Sequence, residues 1–496
     1  MTFARIDTHC RKLESFSHAQ AMLSVDEAVN MPAGGGEKRA EAMATLEGIS
    51  HEMASAPHIA DWIDAAARED LSGEQKTAIA EFKRNYVNQT CLSSAFVQKQ
   101  AETRIRCEQL WRQLWPAGDW AGFLPALEGV VNLAREEAQL RAEVLHLSPY
   151  DALIEQFDPG SRTAQITPVF DELKKFLRDF VPKALDAQVL RHKSNPLRPF
   201  AGEFSVDRQK AVGEELMRAI GFDFNHGRLD VSHHPFCGGV PSDVRMTTRY
   251  RTNDFLSALM GILHETGHGL YEQGLPKLWG HWPVGKARGM SAHESQSLFV
   301  EMQMSRNPAF WEFALPIAQK HLPLEGWTVA DILGHVHRIE RGLIRVEADE
   351  VTYPLHVILR YEIEQELISG RMNVRDIPEA WDAKMREYLG LGTIDNMRDG
   401  PLQDVHWPAG AFGYFPSYTL GALMAAQQWA AIERLHPTVT DEIRVGNFAT
   451  VNEWRRENIW KKASFVSTPE VMKAATGEDL SARPFMAHVR KRYVQH

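Results

Sequence analysis

Apolar residues recur at three- and four-residue intervals along most of this chain, the spacing that lays one hydrophobic stripe along a helix. The pattern is clearest over Glu37–Met53, Ser72–Leu110, Ala121–Leu147 and Thr163–Arg191, where Ala, Glu, Leu, Arg and Gln are frequent. Turn signals separate these stretches: Pro32-Ala33-Gly34-Gly35-Gly36, Pro116-Ala117-Gly118 and Phe157-Asp158-Pro159-Gly160. One region breaks the period. Gly227 to Arg251 is rich in β-branched residues, Gly and Pro, which predicts a short sheet with turns. Helical spacing returns at Asn253. With no internal repeat and no linker, the expected fold is mainly α: one large helical body over 1–496 with a small β insert near 227–251, or two lobes flanking a cleft.

The helical segment from Asn253 to Gly274 carries the chemistry. Asn253 or Asp254 is placed to cap its start, and Gly274 to end it in the left-handed conformation. Inside it stands His264-Glu265-Thr266-Gly267-His268. Histidines four apart project from one helical face, so both imidazoles can reach one zinc ion at about 2.0–2.1 Å. Glu265 then lies beside the metal as general base for its bound water. Phe255, Leu259, Ile262, Leu263 and Leu270 surround the pair, and imidazoles buried there without partners would be costly. No third histidine follows six residues after His268, since position 274 is Gly. A glutamate from a second helix is expected instead. Glu294 is the first choice, with Ser291 as helix cap; a capping box is the bland role for the same pair. Glu301 is the rival ligand, and Glu272 should face solvent.

Composition narrows the function. There are 65 acidic against 55 basic residues, a formal charge of −10, which disfavours a nucleic-acid partner. The four cysteines fit neither a C-x-x-C pair nor a disulfide framework. Met1–Leu23 has no apolar core of signal-peptide length, and no stretch of about 18 apolar residues suggests a membrane span. A cytoplasmic protein without membrane contact is expected.

Six ordered motifs accompany the metal signature. They are His234-Pro235-Phe236, the D-x-R-x-T of Asp243–Thr247, His264–His268, His293-Glu294-Ser295, the I-R-x-x-A-D of Ile344–Asp349, and the G-x-x-Q-D-x-H-W of Gly400–Trp407. With these the chain resembles the carboxypeptidase Taq family of metallocarboxypeptidases over essentially its whole length. The resemblance implies a helical fold with a long groove, a homodimer, and removal of single residues from peptide C-termini. It also implies Glu294 as the third ligand to one metal ion per chain, Zn2+ or Co2+.

A carboxypeptidase must recognise a free carboxylate, for which arginine's planar fork is suited. Arg345 matches the family motif, Asp349 four residues on is expected to orient it along one helix, and Arg338 and Arg341 compete. Asp243, Arg245 and Thr247 alternate on a strand and could lie beside an extended peptide, with His234 nearby. His406, with Tyr414 or Tyr418, is expected to supplement the metal at the oxyanion. Gly280–Ala287 nearly matches a phosphate loop but lacks its hydroxyl, and His335 and His337 fall on different faces. Two other readings stay open: an oligopeptidase cutting internal bonds, and a helical scaffold with structural zinc.

Overall fold

A computed structural model describes residues 1–495. Twenty α-helices and one three-stranded sheet make up its regular structure. The predicted helices appear as Gly36–Ala54, Trp120–Leu145 and Thr163–Ser194. The Ser72–Leu110 stretch is two helices, Gly73–Thr90 and Ser94–Leu114. The break falls at Ser93, whose hydroxyl accepts from the amide of Phe96 and starts a new helix. The first helix, Thr2–Val29, precedes every segment picked out by periodicity.

The β insert lies where the period failed. Strands β1 (Gly227–Val231), β2 (Phe236–Val240) and β3 (Asp243–Thr248) are ordered β1-β3-β2. β1 runs parallel to β3 and β2 antiparallel to it, so Arg245 stands between Arg228 and Gly238. The strand carrying Asp243, Arg245 and Thr247 is therefore the middle one. Both its edges are hydrogen-bonded, and it has no free row of amides to offer a peptide.

That sheet packs on the helix Phe255–Gly274, which we call the first metal helix. Asp254 caps it, accepting from the amides of Leu256 and Ser257. Phe255, Leu259, Ile262, Leu263 and Leu270 are all buried, as expected. Its end differs from expectation. Gly274 does not take the left-handed conformation; the chain leaves through an extended Leu275. The glycine is needed for space, because a Cβ there would lie 2.5 Å from the indole of Trp460.

The second metal helix, Met290–Leu298, continues as a π-helical segment through Phe299–Met304. Contacts between the two helices pair 293 with 268 and 301 with 264, so they run in opposite senses. They approach so closely that a Cβ on Gly267 would sit 2.2 Å from the carbonyl oxygen of Gln296. Only glycine permits that approach. The helix Pro416–Leu435 packs along the second metal helix, and Gly421 on it lies directly against Glu294.

Gly267→Ala should force the two metal helices apart. Overpacking of this kind costs about 1–3 kcal/mol. The expected outcome is a lower thermal midpoint together with weakened metal retention; a variant matching the parent in both would show that the close approach is not required.

Candidate metal centre

Two imidazoles and one carboxylate meet between these helices. The ligand atoms of His264, His268 and Glu294 all lie within 4.8 Å of one another. The Oε2 of Glu294 stands 3.4 Å from Nε2 of His268 and 3.8 Å from Nε2 of His264. Ligands about 2.0–2.2 Å from a tetrahedral ion are separated from each other by about 3.4 Å, so the spacing suits zinc.

The electrostatics ask for a cation at the same place. Burial opposes charge on His264, yet the carboxylates of Glu294, Glu301 and Glu265 push its pKa up to about 10. Against burial, His264 and His268 hold Glu294 down to about 2. Burial pushes Glu265 up to about 7. His268 is held down to about 4 by burial and the nearby His293. Glu301 has its own counter-charge in Arg306, whereas Glu294 and Glu265 turn towards the histidines, and a divalent ion between the ligands would meet their charge. The donor set fits the metal.

Each histidine is held from behind. Nδ1 of His264 lies 2.9 Å from Oε2 of Glu301, whose Oε1 accepts from Arg306 at 3.0 Å. Glu301 thus braces His264 at the ring nitrogen turned away from Glu294, and it lies outside the group of candidate ligands. The π-helical stretch re-aims the helix there, its wider turn closed by the amide of Ser305 on the carbonyl of Val300. Nδ1 of His268 lies 2.6 Å from Nδ1 of His293, and Nε2 of His293 lies 2.8 Å from Glu272. The proton positions follow. With Nε2 of His268 turned to the metal, its Nδ1–H donates to His293, whose Nε2–H donates to Glu272. Glu272, expected in solvent, anchors this relay instead.

Glu294 is not a helix cap. The second metal helix starts at Met290 after Gly289, and the Ser291 hydroxyl bonds the buried Asp158. No capping box forms, because Glu294 turns towards the histidines.

A second cluster approaches from the C-terminal half. His406 Nε2 lies 3.1 Å from the Tyr418 hydroxyl, and the rings of Tyr414 and Tyr418 meet edge to face. Burial raises both phenols, and the charge of Glu294 raises them further. Burial holds His406 neutral, at about 4. The loop bearing His406 and Tyr414 is pinned by Glu364, which accepts from Trp407, Tyr150 and the amide of Gly413.

The arginine expectations need correction. No helix spans 338–349: one helix ends at Val336, and Arg345–Glu347 is a single 3-10 turn. Side chains satisfy this segment's amides. Asp349 accepts from the amides of Glu340, Val351 and Thr352, and Gln403 accepts from that of Arg345. Asp349 therefore shapes the loop and does not orient Arg345. Asp404 does that, accepting at 3.0 and 2.7 Å from Nε and Nη2, while Nη1 bonds the Tyr353 hydroxyl at 3.2 Å. Arg360 grips the other oxygen of Asp404. The Nε–Nη2 edge of Arg345 is thus already spent. Arg338 pairs with Glu340 on the surface.

Four expected substrate residues have their partners elsewhere or face solvent. Asp243 and Arg245 pair with each other, and the buried Thr247 bonds Ser232 and the amide of Phe236. His234 is exposed in the turn between β1 and β2. Gly280–Ala287 is a loop joining the metal helices, as read.

The comparisons agree with this geometry. Residues 5–493 match the family model described as carboxypeptidase Taq (M32) metallopeptidase. The chain belongs to that family. Thermostable carboxypeptidase 1 of Thermus thermophilus is 36% identical over 492 residues, covering 95% of this chain and 94% of that protein. Metallocarboxypeptidase 1 of Trypanosoma cruzi superposes with a TM-score of 0.94 at 37% identity, covering 99% of both chains. The M32 carboxypeptidase from Deinococcus radiodurans gives 0.93 at 33%, covering 100% and 99%. The protein is a metallocarboxypeptidase, a hydrolase of peptide bonds.

Sequence reasoning missed His293, Glu301 as an orienting group, Asp404, Arg360, Tyr353 and Glu364. One signal was available: Glu301 lies seven residues after Glu294, on the same helical face.

Glu301→Gln keeps the shape but removes the charge behind His264. Loss of such a partner weakens metal binding about 10–100-fold, readable by competition with a chelating dye. Unchanged affinity would show that Glu301 is a packing residue only.

Proposed function

We propose that His264, His268 and Glu294 hold one zinc ion, and that Glu265 is the general base of a carboxypeptidase reaction. The observation that supports this most strongly is the open triad, with a buried glutamate one residue from a ligand. Mixed imidazole and carboxylate donors favour zinc, or cobalt, over magnesium, which takes an all-oxygen shell. When bound, such an ion polarises the scissile carbonyl and lowers the pKa of a water towards neutrality.

The chain's own residues do the rest. Glu265, buried and close to neutral pKa, takes the proton of the attacking water and passes it to the departing amine. The Tyr418 hydroxyl, accepting from Nε2–H of His406, is left to donate its own proton to the developing oxyanion, with Tyr414 beside it. Nη1 of Arg345 and the Tyr353 hydroxyl remain to meet the substrate's terminal carboxylate. Arg345 would bind it end-on, since Asp404 holds the other edge. Asp404 keeps the guanidinium in place and compensates part of its charge. His234, Asp243 and Arg245 are left with a role in the outer binding surface, and Thr247 in supporting it. We extend to this chain the family's homodimeric assembly and broad specificity, and a cytoplasmic location.

Two measurements check the reading. Glu265→Gln should retain a full complement of metal and lose about 10³-fold or more in kcat; activity near the parent's would remove Glu265 from the mechanism. A peptide with a free C-terminus should be shortened stepwise while its amidated twin resists. Equal cleavage of both would favour the oligopeptidase reading and withdraw Arg345 from substrate binding.

A further inference from the structure

Away from the metal centre, one cavity combines apolar walls with buried charge. It has a volume of about 510 Å³ and is lined from five helices, none of which carries a candidate metal ligand. Arg191 and Asn195 come from the end of Thr163–Ser194 and beyond, and Leu333 from Val329–Val336. Ala426, Trp429 and Glu433 share a face of Pro416–Leu435, and Lys491 and Arg492 belong to Arg483–Tyr493. That volume falls within the range of small-ligand sites, about 300–1,000 Å³.

Its lining is amphipathic, with charge left over. Leu333, Pro308, Ala426, Trp429, Pro484 and Ala487 form apolar wall. At the floor, Arg492 and His488 neutralise the buried Glu350. Arg191, Lys491 and Glu433 also line the cavity, and none of the three is in an ion pair among the described residues. Arg191 donates one hydrogen bond to the carbonyl of Tyr493, and with Lys491 it leaves two cations without a counter-charge against one such carboxylate, a balance that favours an anion. The apolar wall asks for a hydrocarbon body attached to it.

The floor also touches the support of the metal centre. Nη1 of Arg492 donates to the carbonyl of Met302, within the π-helical segment that carries Glu301. His337, another lining residue, donates from Nε2 to the carbonyl of Arg306 at 2.6 Å, and Arg306 holds Glu301. Two cavity residues thus sit one hydrogen bond from the elements that aim His264.

We propose that this cavity is a second ligand site, taking a small carboxylate with an apolar body, and that its occupation is transmitted to the metal centre through Arg492 and His337. The acid end lies near Arg191 and Lys491, and the hydrocarbon against Leu333, Ala426 and Trp429. Two sources share this chemistry. A free fatty acid uses the cations and the wall alone. A free apolar amino acid, the kind of product a carboxypeptidase releases, also places its ammonium at Glu433. Transmission rests on the reading of Glu301 as the orienting partner of His264; binding does not.

The test uses the full-length, metal-loaded protein. Decanoate and leucine are titrated calorimetrically into the parent, into Arg191→Glu/Lys491→Glu, and into Ala430→Trp, which fills the mouth from an exposed position. At least one ligand should bind the parent, and both variants should weaken it tenfold or more while unliganded peptide hydrolysis stays within twofold. Glu433→Gln weakens leucine alone if the zwitterion is the ligand, and neither if it is the fatty acid. Saturating ligand should shift kcat or KM at least twofold in the parent and not in Ala430→Trp. Absence of binding by both carboxylates, or binding that survives charge reversal and filling, overturns the site. Binding with unchanged turnover overturns the transmission while leaving the catalytic assignment of Glu265 intact.

Discussion

The structure depends on one close approach: two helices running in opposite senses, with backbones near contact at Gly267 and Gln296. This brings Glu294 between two imidazoles that the helical repeat has already placed on one face. The triad then sits in a buried space shared with Glu265 and Glu301, of which only Glu301 has an arginine beside it. Such a cluster is unfavourable by itself and becomes favourable around a cation. Much of what surrounds it serves to keep that geometry. Gly421 leaves room for Glu294, Glu301 and Arg306 fix one imidazole, and His293 and Glu272 fix the other.

The cluster around His406 and Tyr418 is built by a similar logic of buried charge. Asp404 is shared by Arg345 and Arg360, and Glu364 accepts three hydrogen bonds in a fully buried position. Both carboxylates fasten the loop that carries His406 and Tyr414. Breaking either would strand buried charge, so the loop is held more firmly than its irregular backbone suggests. A reaction that needs donors placed within a few tenths of an ångström has use for such a loop.

What could be read from the sequence divides along physical lines. The two histidines and Glu265 were legible because local helical geometry alone decides their relation. Glu294 needed one non-local step, and the choice between it and Glu301 was open because both face the same way. Only the π-helical turn and the distances separate ligand from orienting partner. The β insert was legible as a loss of helical period, but its strand order was not, since pairing is a long-range matter. Without it, the strand of Asp243–Thr248 reads as an edge free to pair with a peptide, whereas both its sides are already paired. Arg345 and Asp349 failed together for a related reason. Their spacing suggested one helix turn, whereas side chains of Asp349 and Gln403 satisfy the local amides and let the chain abandon the helix. Gly274 was read as a conformational signal when packing against Trp460 explains it.

X-ray absorption at the zinc edge of the purified, metal-loaded protein tests the central claim most directly. The account predicts a nitrogen and oxygen shell at about 2.0–2.2 Å with the outer scattering of two imidazoles and no sulfur. That imidazole signal should diminish in His264→Ala. A sulfur shell near 2.3 Å, or a spectrum without imidazole scattering, would contradict it.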